Sequence, residues 1–188
     1  MLDNIMYVVS TGSSTILLYN TDTYSPLDVV INVTGMKRPW DIVACCDDRQ
    51  LYVADEDYCI WRVSADDHSD QEKWLPTEST TDTFRVETLS VTSRRLLVTS
   101  WWDPPSLREY SMNDRQLLHV VQLPGYVELL YHGVETTRGT FVIAHRGTSQ
   151  DMEQYAVSEL IRFCDVLVIA ITIYCSDNAK LTILSQLR

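Results

Sequence analysis

The feature that most constrains the fold of this chain is a repeat of about 45 residues. Four short runs of apolar and β-branched residues recur, each ending in a polar residue, at positions 5–10, 50–55, 95–100 and 140–145. Their aligned residues Tyr7, Tyr52, Leu97 and Phe141 lie 45, 45 and 44 residues apart. A period of this length is typical of proteins in which neighbouring repeats cover each other's apolar faces.

Each repeat is predicted to contain four strands. A second run follows the first at 16–19, 60–63, 107–110 and 154–157, a third lies at 27–33, 72–75 and 117–123, and a fourth precedes the next repeat at 40–45, 84–91 and 126–134. β-branched and aromatic residues separated by turn-forming residues are typical of such strands, and no long run has helical spacing. The sequence therefore predicts an all-β chain, a β-propeller of four-stranded antiparallel blades, with repeat units that begin near residues 5, 40, 84 and 126.

One of the repeats carries a family pattern. Residues 38–44 (Arg-Pro-Trp-Asp-Ile-Val-Ala), 51–55 (Leu-Tyr-Val-Ala-Asp) and 60–63 (Ile-Trp-Arg-Val) resemble an NHL repeat, and a looser likeness extends over residues 1–158. The resemblance implies a propeller that acts as a binding platform, as in tripartite-motif ubiquitin ligases. It also implies an alternative function, because some six-bladed relatives are metal-dependent hydrolases or lyases. The pattern therefore specifies the fold better than the function.

The number of blades has two interpretations. The chain opens at the second strand of a blade and contains about three and a half recognisable blades. It is either a partial propeller of three to four blades, which favours oligomerisation, or a closed four-bladed ring. In the closed form, residues 166–174 supply an outer strand and residues 181–187 the missing first strand. The apolar tail, residues 159–188, thus supplies closing strands or is a non-homologous terminus.

Composition and charge exclude several classes of partner. The chain has 26 acidic and 15 basic residues, a net charge of −11 and no stretch rich in Lys and Arg. Nucleic acid is therefore not an expected partner, since its binding begins with a basic surface. The apolar run 163–175 is shorter than the roughly 20 residues of a membrane-spanning helix. With no secretory signal and five cysteines at low density, a reducing, cytoplasmic location is expected.

Motifs for catalysis or metal binding are absent from the sequence. There is no Cys-x-x-Cys pair, no His-Glu-x-x-His, no Gly-x-Ser-x-Gly and no glycine loop for phosphate. Cys45, Cys46 and Cys59 lack a fourth ligand at the usual spacing and are interpreted as structural thiols. No catalytic residue and no cofactor are predicted, and a non-enzymatic function is favoured. For the hydrolase alternative, Asp41 and Glu87 are candidate ligands of a metal on the ring axis.

The repeat also predicts a shared binding surface. In a propeller, the same inter-strand loop of every blade points to one side of the disc. Large aromatic residues beside charged loops supply contact area at low entropy cost, although the two tryptophans have an alternative place between blades. The sequence thus predicts an unidentified protein partner bound by this loop face, whose candidate residues are Asp55, Glu56, Asp57, Trp101, Trp102, Asp103, His145 and Arg146.

Overall fold

The computed structural model describes residues 2–75, 84–92, 95–100, 104–123, 127–136, 140–147, 155–163, 166–175 and 182–184. Within these residues the chain is all-β, as predicted, and no helix is present. The strands are β1 (Ile5–Val9), β2 (Thr15–Asn20), β3 (Pro26–Asn32), β4 (Asp41–Cys45), β5 (Gln50–Ala54), β6 (Ile60–Ser64), β7 (Gln71–Leu75), β8 (Thr88–Thr92), β9 (Arg95–Ser100), β10 (Ser106–Ser111), β11 (Leu117–Gln122), β12 (Val127–Glu135), β13 (Phe141–Gly147), β14 (Tyr155–Phe163), β15 (Val166–Cys175) and β16 (Thr182–Leu184).

The strands form four antiparallel sheets in which neighbours in sequence are neighbours in space. The strand orders are β1-β2-β3, β4-β5-β6-β7, β11-β10-β9-β8 and β12-β13-β14-β15-β16, which we number as sheets one to four. None of these sheets is closed on itself. Strands β1, β5, β9 and β13 begin at residues 5, 50, 95 and 141, so their intervals are 45, 45 and 46 residues.

Two turns that join equivalent strands have the same hydrogen-bonding pattern. In the β2–β3 turn the Tyr24 N–H donates to the Asn20 carbonyl at 2.9 Å, and in the β10–β11 turn the Arg115 N–H donates to the Ser111 carbonyl at 3.0 Å. Tyr24 and Arg115 both have positive φ, 53° and 62°. The same local conformation therefore recurs 91 residues later, close to two repeat lengths.

The chain divides into two compact units, Met1–Arg94 and Arg95–Arg188. In the first unit the core lies between sheets one and two, where the buried side chains Ile16, Leu18, Ile31, Leu51, Val53, Trp61 and Val63 form one cluster. Gly35, with φ of 92°, lets the loop before β4 approach Trp61, because a Cβ at this position would lie 3.3 Å from the indole ring.

The second unit has a core of its own. Its buried cluster contains Leu97, Leu107, Val121, Val127, Leu130, Phe141 and Ile143. Gly133 on β12 fits against this cluster because it has no side chain: a Cβ there would lie 3.0 Å from Leu107 Cδ2. The apolar residues that alternate along these strands thus explain why the sheets stack in each unit.

The described residues of the tail form strands of sheet four. Phe163 of β14 pairs with Val166 of β15, and the antiparallel ladder continues as far as Tyr155 and Cys175. Strand β15 therefore lies next to β14 in sheet four. In the closed form, residues 181–187 are expected to supply the missing first strand; of these, Thr182–Leu184 form β16, which pairs with β15, with Ile173 opposite Ile183. A hairpin between consecutive strands closes a short loop, which costs less entropy than a pairing across the whole chain.

Candidate functional site

The candidate site lies in the first unit, where two loops meet at one end of sheet two. We call residues 55–59, between β5 and β6, the acidic loop, and residues 33–40, between β3 and β4, the basic loop. The Glu56 N–H donates to the Lys37 carbonyl at 3.2 Å, and the Trp40 N–H donates to the Ala54 carbonyl at 3.0 Å. Main-chain hydrogen bonds therefore hold the two loops together.

Asp55 organises both loops from the inside. Its side chain is 0% exposed, and one carboxylate oxygen, Oδ2, accepts hydrogen bonds from Trp61 Nε1 at 2.8 Å and from the Lys37 N–H at 3.2 Å. The other oxygen, Oδ1, accepts from the Cys59 thiol at 3.0 Å and from the Asp57 N–H at 3.1 Å. A buried carboxylate with four donors is well satisfied. Asp55 thus supports the loop face and contributes no contact area to it.

The thiol that faces Asp55 is held in its protonated form. Burial, and then the hydrogen bond to the Asp55 carboxylate and its charge, raise the pKa of the Cys59 thiol to about 12. Cys45 is also buried, and burial raises its thiol pKa, whereas Cys46 is exposed. None of these three cysteines is in a disulfide. The burial of Cys45 and Cys59 fits the interpretation of these two residues as structural thiols.

The outer side of the two loops carries paired charges. Lys37 Nζ lies 3.2 Å from an Asp57 carboxylate oxygen, and the Arg38 guanidinium contacts the Glu56 carboxylate. The hydrogen bond that Lys37 Nζ donates to the Asp57 carboxylate, and then the negative charge of this carboxylate, raise the pKa of Lys37. The two basic side chains are 59% and 69% exposed. The surface of this site is therefore a patch of alternating charge rather than a purely acidic one.

An aromatic and cationic stack lies beside these ion pairs. The rings of Trp40 and Tyr58 have centroids 5.6 Å apart, and the Arg85 guanidinium carbon lies 4.7 Å from the centre of the Tyr58 ring. Arg85 also donates a hydrogen bond to the Tyr58 hydroxyl at 3.1 Å. Stacks of this kind provide rigid amphipathic surface. Tyr58 and Arg85 were not predicted from the sequence; the one signal was the place of Tyr58 within an acidic loop.

The other predicted residues of the loop face are placed differently or not described. Trp101, Trp102 and Asp103 lie outside the described residues. His145 and Arg146 lie within β13 and not in a loop, because the ladders to β12 and β14 continue through both residues. His145 is 1% exposed, and burial lowers the pKa of its imidazole. His145 therefore belongs to the interior of the second unit.

The described residues contain no group of three or more His, Cys, Asp or Glu side chains placed to hold a metal ion. The carboxylate of Asp41, a candidate ligand in the hydrolase alternative, accepts hydrogen bonds from two main-chain N–H groups of the first unit. Its Oδ2 accepts a hydrogen bond from the Leu89 N–H at 2.7 Å, and its Oδ1 accepts one from the Ile42 N–H at 2.9 Å. Asp41 thus connects β4 to the start of β8.

The described part of the chain also contains no helix with the length and apolar character needed to cross a membrane.

Comparison with protein-family models found none that matches the chain. A search of curated proteins likewise found no match.

Proposed function

We propose that this chain is an NHL-like β-propeller whose function is to bind another protein through its loop face, without catalysis. The observation that carries the proposal is the construction of the acidic loop. Its outer carboxylates and the Tyr58 stack rest on a buried Asp55 that makes four hydrogen bonds. A surface that is already ordered loses little entropy when a partner binds.

The propeller part of the proposal is supported by the strand order. Sheets two and three each have four antiparallel strands in simple up-and-down order, and the equivalent strands of these two sheets begin 45 to 47 residues apart. These are the properties of propeller blades. Trp101, Trp102 and Asp103, which lie outside the described residues, follow β9 in the sequence as the acidic loop follows β5, and on this ground they remain part of the proposed loop face.

The chemistry of the partner follows from the charges of the site. The chain carries a net charge of −11, and the acidic loop offers Glu56 and Asp57 together with the half-buried Tyr58 ring. Because Lys37 and Arg38 pair with these two carboxylates, a protein surface with charges of both signs around an apolar or aromatic centre complements this arrangement. Such charges increase the rate of encounter and select the partner more than they increase affinity.

The test is affinity capture with variants of the loop face. Glu56→Lys/Asp57→Lys reverses the two outer carboxylates, and Asp22→Lys/Asp28→Lys makes the same change of charge at exposed sites on the β2–β3 hairpin. We expect the first variant to lose the partners that the wild-type chain captures, and the second to keep them. If both variants capture the same proteins as the wild-type chain, the acidic loop is not the binding surface.

The tryptophans of the loop face are tested separately. Trp101→Ala and Trp102→Ala are compared with the wild-type chain in the same capture experiment, after circular dichroism has established that each variant is folded. If the tryptophan variants lose the same partners that Glu56→Lys/Asp57→Lys loses, both loops contribute to binding these partners. Unchanged capture would remove the tryptophans from the proposal.

A further inference from the structure

The side chain of Tyr58 is the part of the acidic loop that the buried Asp55 carboxylate does not hold. None of the four hydrogen bonds that this carboxylate accepts comes from Tyr58. The Tyr58 N–H donates to the Asp55 carbonyl at 2.9 Å, which closes the main chain of the loop. The Tyr58 side chain is half-buried. Its position is therefore set by residues from outside the acidic loop.

The main chain at Tyr58 has a conformation that favours glycine. Its φ is 56°, in the left-handed region, where a hairpin loop usually has glycine or asparagine. A tyrosine at such a position costs conformational energy that glycine would not cost. Residues held in this region are concentrated at binding and active sites. The backbone therefore points to a use for the Tyr58 side chain.

Two neighbours from different segments hold the Tyr58 ring. The Trp40 ring centroid lies 5.6 Å away with an angle of 54° between the ring planes, and the Arg85 guanidinium carbon lies 4.7 Å from the centre of the Tyr58 ring. Trp40 belongs to the basic loop, and Arg85 precedes β8. A ring that is already fixed from two sides loses little entropy when a partner contacts it.

The hydroxyl group of this ring is half used. Arg85 Nη1 donates a hydrogen bond to the Tyr58 hydroxyl oxygen at 3.1 Å, and a tyrosine hydroxyl also has one proton that it can donate. Among the described residues, no hydrogen bond has the Tyr58 hydroxyl as its donor. A hydrogen bond accepted from a cation polarises the O–H bond and strengthens it as a donor. The Tyr58 hydroxyl is thus a positioned donor at the loop face.

We propose that Tyr58 determines specificity at the loop face, because its hydroxyl donates a hydrogen bond to an acceptor oxygen of the bound protein. This inference rests on the proposed function. Arg85 is the positioning residue that holds the hydroxyl. The acceptor is a main-chain carbonyl or a side-chain carboxylate, which share the same chemistry. A protein with no acceptor at this point leaves the hydroxyl proton unpaired when water is excluded, and it is therefore bound more weakly.

Tyr24 provides a matched control within the same chain. It lies in the β2–β3 turn with φ of 53°, so it has nearly the backbone conformation of Tyr58. Its side chain is 74% exposed, and among the described residues it has no ring contact and no side-chain hydrogen bond. Removal of its hydroxyl therefore makes the same chemical change away from the loop face.

The experiment titrates the immobilised chain and its variants against a cell lysate. It follows, by mass spectrometry, the proteins that the wild-type chain captures and Glu56→Lys/Asp57→Lys loses. The bait concentration that gives half-maximal capture measures apparent affinity. Tyr58→Phe and Tyr24→Phe each remove one hydroxyl and keep the ring. We expect about fivefold weaker capture, or more, for Tyr58→Phe, and capture within about twofold of wild type for Tyr24→Phe.

The size of the loss distinguishes the two acceptors. A hydrogen bond to a neutral main-chain carbonyl predicts a loss of about fivefold for Tyr58→Phe. A hydrogen bond to a carboxylate is stronger, and it predicts a loss of more than about tenfold.

The positioning role of Arg85 is tested by a double variant. Arg85→Met removes the guanidinium donors and keeps an unbranched apolar side chain. We expect this change to weaken capture in the wild-type background, but to have less than about a twofold effect in the Tyr58→Phe background. Equal losses in both backgrounds would show that Arg85 acts independently of the Tyr58 hydroxyl, and would overturn its positioning role.

The outcomes separate this inference from the proposed function. If Tyr58→Phe captures the same proteins as well as wild type does, the inference is wrong and the proposed function stands. If no captured protein depends on Glu56 and Asp57, the proposed function fails and the inference fails with it. Equal losses for Tyr58→Phe and Tyr24→Phe would also overturn the inference, because the effect would not belong to the loop face. Urea unfolding midpoints near that of wild type are expected for both variants, since each ring remains.

Discussion

Replacement of Asp55 by asparagine tests whether one buried carboxylate supports the candidate site. The two side chains have the same shape, but asparagine has one acceptor oxygen and one NH₂ group where aspartate has two acceptors. In the wild-type chain each oxygen accepts two hydrogen bonds, one pair from Trp61 and Lys37 and the other from Cys59 and Asp57. In Asp55→Asn, two of these donors must therefore face an NH₂ group.

The structure indicates which pair of donors is lost and what the loss costs. The asparagine oxygen is expected to face Trp61 and Lys37, because the indole N–H is buried with the shortest of the four hydrogen bonds, 2.8 Å. The NH₂ group then faces the Cys59 thiol, a weak donor, and the partly buried Asp57 N–H. An unsatisfied buried donor costs about 1–3 kcal/mol. We therefore expect Asp55→Asn to lower the free energy of unfolding by about 2–4 kcal/mol.

The assay is urea unfolding followed by tryptophan fluorescence, because Trp61 and Trp74 are buried in the first unit. The matched control is Asp57→Asn, which changes the same atoms at a position where the carboxylate forms an exposed pair with Lys37. Exposed pairs contribute little to stability, so the control is expected to keep the wild-type unfolding midpoint. Equal midpoints for Asp55→Asn and wild type would refute the structural role of Asp55.

Three further predictions concern other parts of the fold. Burial lowers the pKa of His145, so the stability that its neutral imidazole contributes is present above the unfolded pKa near 6.5 and is lost as pH falls towards the folded pKa. Below pH 6.5 the free energy of unfolding of the wild-type chain should fall by up to about 1.4 kcal/mol per pH unit more than that of His145→Gln. Parallel pH dependence of the two chains in urea titrations would contradict this. Iodoacetamide under native conditions, mapped by mass spectrometry, should modify Cys46 faster than Cys45 and Cys59, and equal rates would contradict their burial. Gly133→Ala should lower the free energy of unfolding by about 1 kcal/mol, because the added methyl group would lie 3.0 Å from a core carbon, and a higher urea midpoint would contradict this.

Most strands could be predicted from the sequence, since their signals are local. The run Leu-Tyr-Val-Ala combines β-branched and aromatic residues between turns, and the structure has it as β5, Gln50–Ala54. The alternation of such runs with turn residues is sufficient to predict an all-β chain. The end of β13 was less predictable, because His145 and Arg146 are polar and the ladders on both sides keep them extended.

The candidate site was predictable only in part. The acidic residues 55–57 were identified from their place after a strand, yet their sequence does not distinguish the buried Asp55 from its accessible neighbours. The difference arises because Trp61, Cys59 and Lys37, which come from three different segments, supply donors to one carboxylate. The stack of Arg85 on Tyr58 joins residues 27 positions apart, which no local pattern indicates.

The sequence by itself determined the strands, their 45-residue spacing and the acidic charge, because these depend on the conformational preferences and charges of residues close together in the chain. Only the tertiary structure decided that Asp55 is internal and that β16 pairs with β15. These properties depend on which segments meet in space. Such contacts are selected by the packing of whole sheets and by the entropy of the connecting loops.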